Sequence, residues 1–162
     1  AWLCSWAWEP LGWRSTHAER IRFMSSAVTT VFGAVPIAFA AGLIPAGSES
    51  AGAQVSTVDP VDHNNTEHPI EGYFNGVNIQ IGGTIGTLKV RAYSGAPGAL
   101  GTVQLYEATF AYTVASTTLS DSLGAELVVY QAGCYITLEG SVGGMEAIVN
   151  PYLMGGTIAS KI

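Results

Sequence analysis

The residues whose types could do chemistry are few, and most of them fall within one short polar stretch. Carboxylates, imidazoles and an amide follow one another there: Asp59, Asp62, His63, Asn64, Glu67, His68 and Glu71. Oxygen ligands at alternate positions suit Ca²⁺, and paired histidines suit a transition metal. The spacing matches no EF-hand loop, and the glycine that such a loop needs at its sharp turn is absent. A solvated acidic loop is therefore the favoured interpretation, and we predict no metal site and no cofactor.

The motifs of nucleophilic catalysis and phosphate binding do not occur in the sequence. There is no G-x-S-x-G elbow and no H-E-x-x-H pair, and Gly82-Gly83 with Gly86 falls between predicted strands rather than before a helix. Cys134 is expected on the inward face of a strand, where a free cysteine behaves as a small apolar residue. A disulfide with Cys4 is the alternative. The sequence therefore predicts no catalytic residue and no enzyme.

The composition describes a chain with few charges. It has 162 residues, of which 48% are hydrophobic and 11% are charged, and its net charge is −6. An average soluble domain is about 25% charged. The high hydrophobic fraction argues against disorder, and the negative charge argues against a surface for nucleic acid. We expect the protein to cover its surface with copies of itself, another protein or a membrane, or else to lie outside the cytoplasm.

Residues 1–23 differ in composition from the rest of the chain. They hold all four tryptophans and three of the six basic residues, whereas 24–162 hold three basic residues against ten acidic ones. We treat 1–23 as an atypical leader with three open interpretations. It is an arm that anchors at an interface or membrane surface, the charged start of an export signal, or sequence outside the native coding region with a start at Met24.

The next stretch, 24–48, is predicted to be an apolar arm, a signal or a membrane anchor. The run Phe23–Ser48 carries no charge and is long enough to cross a bilayer, which needs about 20 apolar residues. Pro36 would break or kink a helix there. The small residues of Ala38-Phe39-Ala40 fit a signal-peptide cleavage site. As an arm, Ala27–Ala46 would pack under or between neighbouring subunits.

A polar linker and then a β domain are predicted to follow. Residues 49–72 are small and polar without helical or alternating pattern, so we expect a linker with the domain boundary near Ile70. Residues 73–162 then alternate as half-buried strands do, with turn residues between the runs. About six to eight short strands of this kind predict an all-β fold. We expect an antiparallel β-sandwich or jelly roll with an apolar N-terminal arm.

Several positions within this domain carry more detailed predictions. The apolar phase changes between Val103 and Phe110, which predicts a bulge or break near Glu107. Pro151 is expected on an edge strand or at a bulge. Five tyrosines are expected on outward strand faces: Tyr93, Tyr106, Tyr130, Tyr135 and Tyr152. Such a row can stack on sugars, but cross-strand packing or a subunit interface is the favoured interpretation.

The segment Thr102–Met154 resembles the small β-sandwich proteins of tailed-phage virions. The resemblance rests on an aromatic-Thr-Val run, a turn rich in Ser, Leu and Gly, the stretch AGCYITLEGSVGG and a final strand. The similar proteins are capsid decoration or cement proteins and the tip domains of fibres. The segment also resembles subunits of single-jelly-roll capsids and of extracellular filaments. The resemblance implies symmetric, non-enzymatic assembly on the exterior of a virion, and it assigns no functional residue.

We therefore expect a structural protein of a virion, either a capsid decoration or cement protein or a minor capsid subunit. Its expected partners are itself, as a trimer or another homo-oligomer, and a major capsid or other lattice protein. No nucleic acid is expected, and 24–46 is the segment available for membrane contact. The alternatives are an exported or membrane-anchored β-sandwich that binds cell-surface carbohydrate, and an extracellular filament subunit.

Overall fold

The structure, a computed structural model, describes residues 31–58, 66–114, 117–122, 128–131, 133–155 and 158–160. Within these ranges the chain forms β-strands and one 3₁₀ helix, η1 (Ala41–Leu43). The strands are β1 (Val31–Phe32), β2 (Ile37–Phe39), β3 (Ala53–Gln54), β4 (Thr57–Val58), β5 (Thr66–Pro69), β6 (Glu71–Gly83), β7 (Gly86–Tyr93), β8 (Gln104–Tyr112), β9 (Thr117–Ser122), β10 (Val128–Gln131), β11 (Tyr135–Gly140), β12 (Met145–Met154) and β13 (Ile158–Ser160). Among these residues no helix has the length and apolar character needed to cross a membrane.

The strands form two main sheets and a small third one, with antiparallel pairing throughout. In the first sheet, β12 and β6 lie side by side; β1 and β2 pair with the free side of β12, and β9 and β10 with that of β6. The second sheet has the order β3-β11-β7-β8, and the small sheet has the order β13-β5-β4. The prediction of an all-β antiparallel sandwich is confirmed.

The core lies between the two main sheets and comes from the alternating runs. Their inward side chains are at most 1% exposed: Val77, Ile79 and Ile81 on β6, Leu88, Val90 and Ala92 on β7, and Ile136 and Leu138 on β11. Fully burying a side chain of this kind stabilises the fold by about 1.5–3 kcal/mol. The intervening polar residues face outward, which is why the period of two was visible in the sequence.

A bulge interrupts the pairing of β6 with β12. Pro151 pairs with Val77 and Leu153 pairs with Phe74, so β6 carries one extra residue there. Gly76 supplies the bend with a φ of 119°, and a Cβ at this position would lie 2.2 Å from the carbonyl oxygen of Asp121. Pro151 thus lies beside a bulge, as predicted. It also falls in the gap between β1 and β2, where its missing N–H is not needed.

The bulge or break predicted near Glu107 is present as a bulge two residues earlier, at Leu105. Strand β8 runs through Glu107 without interruption, and the register shift against β7 falls at Leu105, because Ala92 pairs with Tyr106 and Tyr93 with Gln104. Tyr106 is consequently 5% exposed and belongs to the core, whereas Val103, which the sequence placed inward, is 59% exposed.

The segment predicted as an arm packs, where it is described, against its own chain. Strands β1 and β2 pair with β12, and Phe39 and Ile44 are 5% and 2% exposed in the core. Phe39 and Ile44 therefore belong to the protein's own core, which differs from the expected packing of this segment between neighbours. Residues 1–30, including the leader and the Met24 alternative, lie outside the described residues.

The stretch predicted as a polar linker, 49–72, also differs from that expectation where it is described. It contains β3, β4, β5 and the first residues of β6. The domain boundary expected near Ile70 falls directly between β5 and β6, each of which is paired with other strands of the chain. The physical reason is that these small polar residues form main-chain hydrogen bonds with neighbouring strands. Such bonds do not depend on the side chains, so they leave no hydrophobic period in the sequence.

Candidate functional site

Arg91 is the centre of the largest polar cluster among the described residues, on the outer face of the second sheet. It lies on β7 between β8 and β11, and the register pairs it with Glu107 on one side and Thr137 on the other. Its Nε atom donates to Oε2 of Glu107 at 2.7 Å, and its Nη2 atom donates to Oε2 of Glu139 at 2.8 Å. Bonds of this type between two charged groups are the strong ones in proteins.

A third carboxylate reaches the cluster from the N-terminal part of the chain. Oε1 of Glu49 accepts hydrogen bonds from the hydroxyl of Tyr93 at 2.6 Å and from the hydroxyl of Thr137. Oε2 of Glu49 lies 3.9 Å from Nη1 of Arg91. Glu49 thereby ties its own segment to β7 and β11 at once.

That segment, Pro45–Val55, is here called the strap, and it runs along the free side of β11. The Gly47 amide donates to the carbonyl of Gly140 at 2.8 Å, and the Gly140 amide donates to the carbonyl of Pro45 at 3.0 Å. At the other end the Val55 amide donates to the carbonyl of Cys134 at 2.7 Å. Main-chain hydrogen bonds therefore hold the strap along β11, and the side chain of Glu49 fastens the strap to the outer face of the second sheet.

The electrostatics of the cluster favour its charged and bonded state. Partial burial would raise the pKa of Glu49, but the hydrogen bonds from Thr137 and Tyr93 and the charge of Arg91 outweigh it, so the pKa lies below the usual value. Burial and the bond to Glu49 raise the pKa of Tyr93 to about 12. The bond from Arg91 lowers the pKa of Glu107. At neutral pH Glu49 and Glu107 are thus ionised and the phenol of Tyr93 remains a donor.

The contacts described for this cluster join parts of the same chain. The guanidinium of Arg91, whose side chain is 13% exposed, lies between the three carboxylates. Each of the three carboxylates is engaged by it. The cluster therefore acts as a clamp that holds the strap and three strands together.

The polar stretch singled out in the sequence is only partly described. Asp59, Asp62, His63 and Asn64 lie outside the described residues, while Glu67 and His68 lie on β5 and Glu71 begins β6. Nδ1 of His68 is 3.2 Å from the hydroxyl of Ser56. In the part of the chain that the structure describes, no three of His, Cys, Asp and Glu come together as a metal site would require.

Cys134 is fully buried, as predicted, with a free thiol. Burial raises the pKa of this thiol to about 12, so it stays protonated at neutral pH. A protonated, inaccessible thiol is unreactive, because the thiolate is the nucleophile. Cys4 lies outside the described residues.

The predicted outward row of tyrosines divides between the surface and the core. Tyr106 and Tyr130 are 5% and 0% exposed, so their outward placement was wrong. The Tyr106 hydroxyl donates to Oδ2 of Asp121 at 2.8 Å, and its ring lies 5.2 Å from that of Phe74. Tyr152 does face outward at 40% exposure. A further tyrosine, Tyr73, is 41% exposed near it on the first sheet and was not foreseen.

Apolar side chains are exposed at both ends of β8. The loop that precedes this strand presents Leu100, which is fully exposed, and Val103, and the residue two positions after the strand is the exposed Val114. Val114 is 67% exposed. These exposed apolar side chains therefore flank β8 at its two ends and do not lie on the strand itself.

Compared with protein-family models, with curated proteins and with solved structures, the chain finds no match.

Proposed function

We propose that the protein is a non-enzymatic structural subunit of a virion, a capsid decoration or cement protein or a minor capsid subunit on the exterior of the shell. The observation that carries the proposal is the clamp around Arg91. Its three carboxylates and its guanidinium are engaged in fastening the strap. In the residues described, the densest polar chemistry therefore serves rigidity, which an assembling subunit needs and which leaves no open catalytic group at this site.

The exposed apolar residues support assembly as the reason for the low charge. Leu100, Val103 and Val114 lie in the segments that flank β8, and Ile148 lies on the first sheet with 39% exposure. Contact with copies of the chain or with a lattice protein would cover such residues. The resemblance of Thr102–Met154 to virion proteins is the second support, and this segment includes β8 and β11.

The packing of Phe39 and Ile44 bears on the manner of assembly that we propose. Because Phe39 and Ile44 complete the protein's own core, we propose that the sandwich surface, rather than this segment, contacts the neighbouring subunits. This replaces the arm exchange expected from Ala27–Ala46.

Particles provide the direct test. Particles released by the organism that carries this sequence are banded by density, and the proteins of the band are identified and counted by mass spectrometry. We expect the chain in the band at a fixed ratio to the main shell protein. Its presence only in particle-free soluble or membrane fractions would overturn the proposal.

A second candidate function is carbohydrate binding, and the exposed pair Tyr73 and Tyr152 favours it. Aromatic faces on a sheet can stack on sugar rings, and both residues lie where β6 and β12 bulge. A glycan array with the intact protein tests this function. Binding that is lost with Tyr73→Ala or Tyr152→Ala and retained with Tyr135→Ala, on the other main sheet, would establish it.

A further inference from the structure

Strand β8 is the longest edge strand among the described residues. It ends the order β3-β11-β7-β8 and has nine residues, whereas β9, the next longest at an edge, has six. The described residues pair it with β7 alone. An edge of this length presents a row of main-chain donors and acceptors that a further strand can use.

The opposite edge of the same sheet is covered by the chain itself. The strap lies there, with β3 paired to β11 and with main-chain bonds at Gly47, Ser50 and Val55. The contrast matters because proteins usually protect an edge by covering it or by placing charges on it. The strap protects one edge of the second sheet, whereas no described strand forms a ladder with the free side of β8.

The charge on β8 does not protect it either. Glu107 is the only charged residue of the strand, and Arg91 on the adjoining strand neutralises it at 2.7 Å. The strand contains no proline and no lysine. Glu107 therefore exerts little repulsion on a second strand that carries the same residue.

We propose that β8 pairs with β8 of a second copy of this chain, antiparallel about a two-fold axis at Thr109. The two second sheets then join into one continuous sheet across the dimer. This inference deepens the proposed function, and the biological role of the contact rests on that function. The pairing itself is argued from the unpaired edge of β8.

The register at Thr109 follows from which side chains would meet. A two-fold axis perpendicular to the sheet leaves each side chain on the same face of the sheet in both copies. Residues that face each other across the axis must then share a face, so the axis lies between the two copies of one residue. With the axis at Thr109, the Thr109 residues of the two copies face each other on the exposed side of the sheet, and Glu107 faces Ala111. The two Glu107 carboxylates are therefore kept apart. On the inward face the small Ala108 meets Phe110, both of which are half-buried in the single chain. Threonine pairs and small-with-large pairs are favourable cross-strand neighbours.

Two substitutions on the full-length chain test the pairing by sedimentation over a range of concentrations. Thr109→Lys places two ammonium groups together at the axis. Because position 109 also faces Lys89 on β7 within one chain, urea unfolding checks that the variant stays folded. We expect a wild-type dimer or a multiple of it, and dimerisation at least 10-fold weaker in Thr109→Lys. The matched control is Thr118→Lys. Thr118 is an exposed threonine on β9, an edge strand of the first sheet, and the Thr118→Lys variant should dimerise as the wild type does. A monomeric wild type, or equal masses for both variants, would overturn the inference.

A cross-link tests the register. In a Cys4→Ser background, Thr109→Cys should form a disulfide-linked dimer on mild oxidation, because facing residues of antiparallel strands lie within disulfide reach. Thr118→Cys should not. Failure of Thr109→Cys to cross-link in a dimeric protein would overturn the pairing.

The two proposals fail in different ways. If the protein is a monomer and is found in the particle band, the β8 pairing is refuted and the proposed structural function stands. If it is a β8-linked dimer and is absent from particles, the pairing stands and the proposed function is refuted.

Discussion

Ser50 and Leu138 exchange two hydrogen bonds across 88 positions of the chain. The Ser50 amide donates to the carbonyl of Leu138 at 2.8 Å, and the Leu138 amide donates to the hydroxyl of Ser50 at 2.9 Å. Both residues are buried. The serine side chain therefore replaces a main-chain acceptor at the point where the strap lies on β11.

Ser50→Ala should lower the free energy of unfolding by about 1–3 kcal/mol, because the buried Leu138 amide loses its acceptor. Ser141→Ala is the matched control. The Ser141 hydroxyl also accepts a main-chain bond, from Thr87 at 2.8 Å, but at an exposed site where water can replace it. Urea denaturation measures both; an equal loss in the two variants would contradict the role assigned to the strap.

Arg91→Met should destabilise the protein by about 2 kcal/mol, because it leaves the carboxylates of the clamp without their cation. Arg91→Lys retains the charge but loses the forked donor geometry, so about 1 kcal/mol should be lost. Lys89→Met changes the other basic residue of β7, which has no ion pair among the described residues, and should alter stability by less than about 0.5 kcal/mol. Chemical denaturation of the three variants checks this ranking, and a clamp without energetic importance would make them alike.

The stability of the fold should decline in acid. The pKa of Glu49 and that of Glu107 are lower in the folded protein than their ordinary value of 4.5. Their contribution is therefore complete above about pH 4.5 and is lost as the pH falls through the folded values. Glu49→Gln should flatten this part of the profile of unfolding free energy against pH. Glu146→Gln, an exposed change on β12, should reproduce the wild-type profile.

Gly76→Ala should lower the free energy of unfolding by about 3 kcal/mol, because the new methyl group meets the Asp121 carbonyl and the backbone has positive φ. Gly42→Ala is the control, since a Cβ there meets nothing within 4 Å. The control should change stability by less than about 1 kcal/mol. Thermal and urea unfolding measure both variants.

Cys134 should resist alkylation at pH 8 in the folded protein and react once urea unfolds it, because burial holds the pKa of its thiol at about 12. Peptide mass spectrometry after iodoacetamide treatment distinguishes Cys134 from Cys4. Rapid labelling of Cys134 without denaturant would contradict its place in the core.

The sequence was sufficient for the strands that bury one face and insufficient where other forces determine position. Val77, Ile79 and Ile81 were predictable because burial imposes a period of two on them. Tyr106 was misplaced because the extra residue is Leu105, two positions before the bulge that the change of phase indicated, and this turns Tyr106 inward.

The clamp was not predictable for a different reason. Arg91 is a basic residue on an outward strand face, but its partners depend on the register of β7 against β8 and β11, which tertiary packing sets. The strap was hidden because main-chain bonds carry no residue pattern. A charged residue in the middle of a strand, such as Glu107 or Glu139, was the one signal available.

The position of the N-terminal strands also decides when this protein can fold during its synthesis. Strands β1 and β2 pair with β12, and β3 pairs with β11. Residues 31–54 are synthesised well before the strands with which they pair. Both main sheets can therefore be completed only after β11 and β12 have left the ribosome, so folding depends on contacts between residues far apart in the sequence.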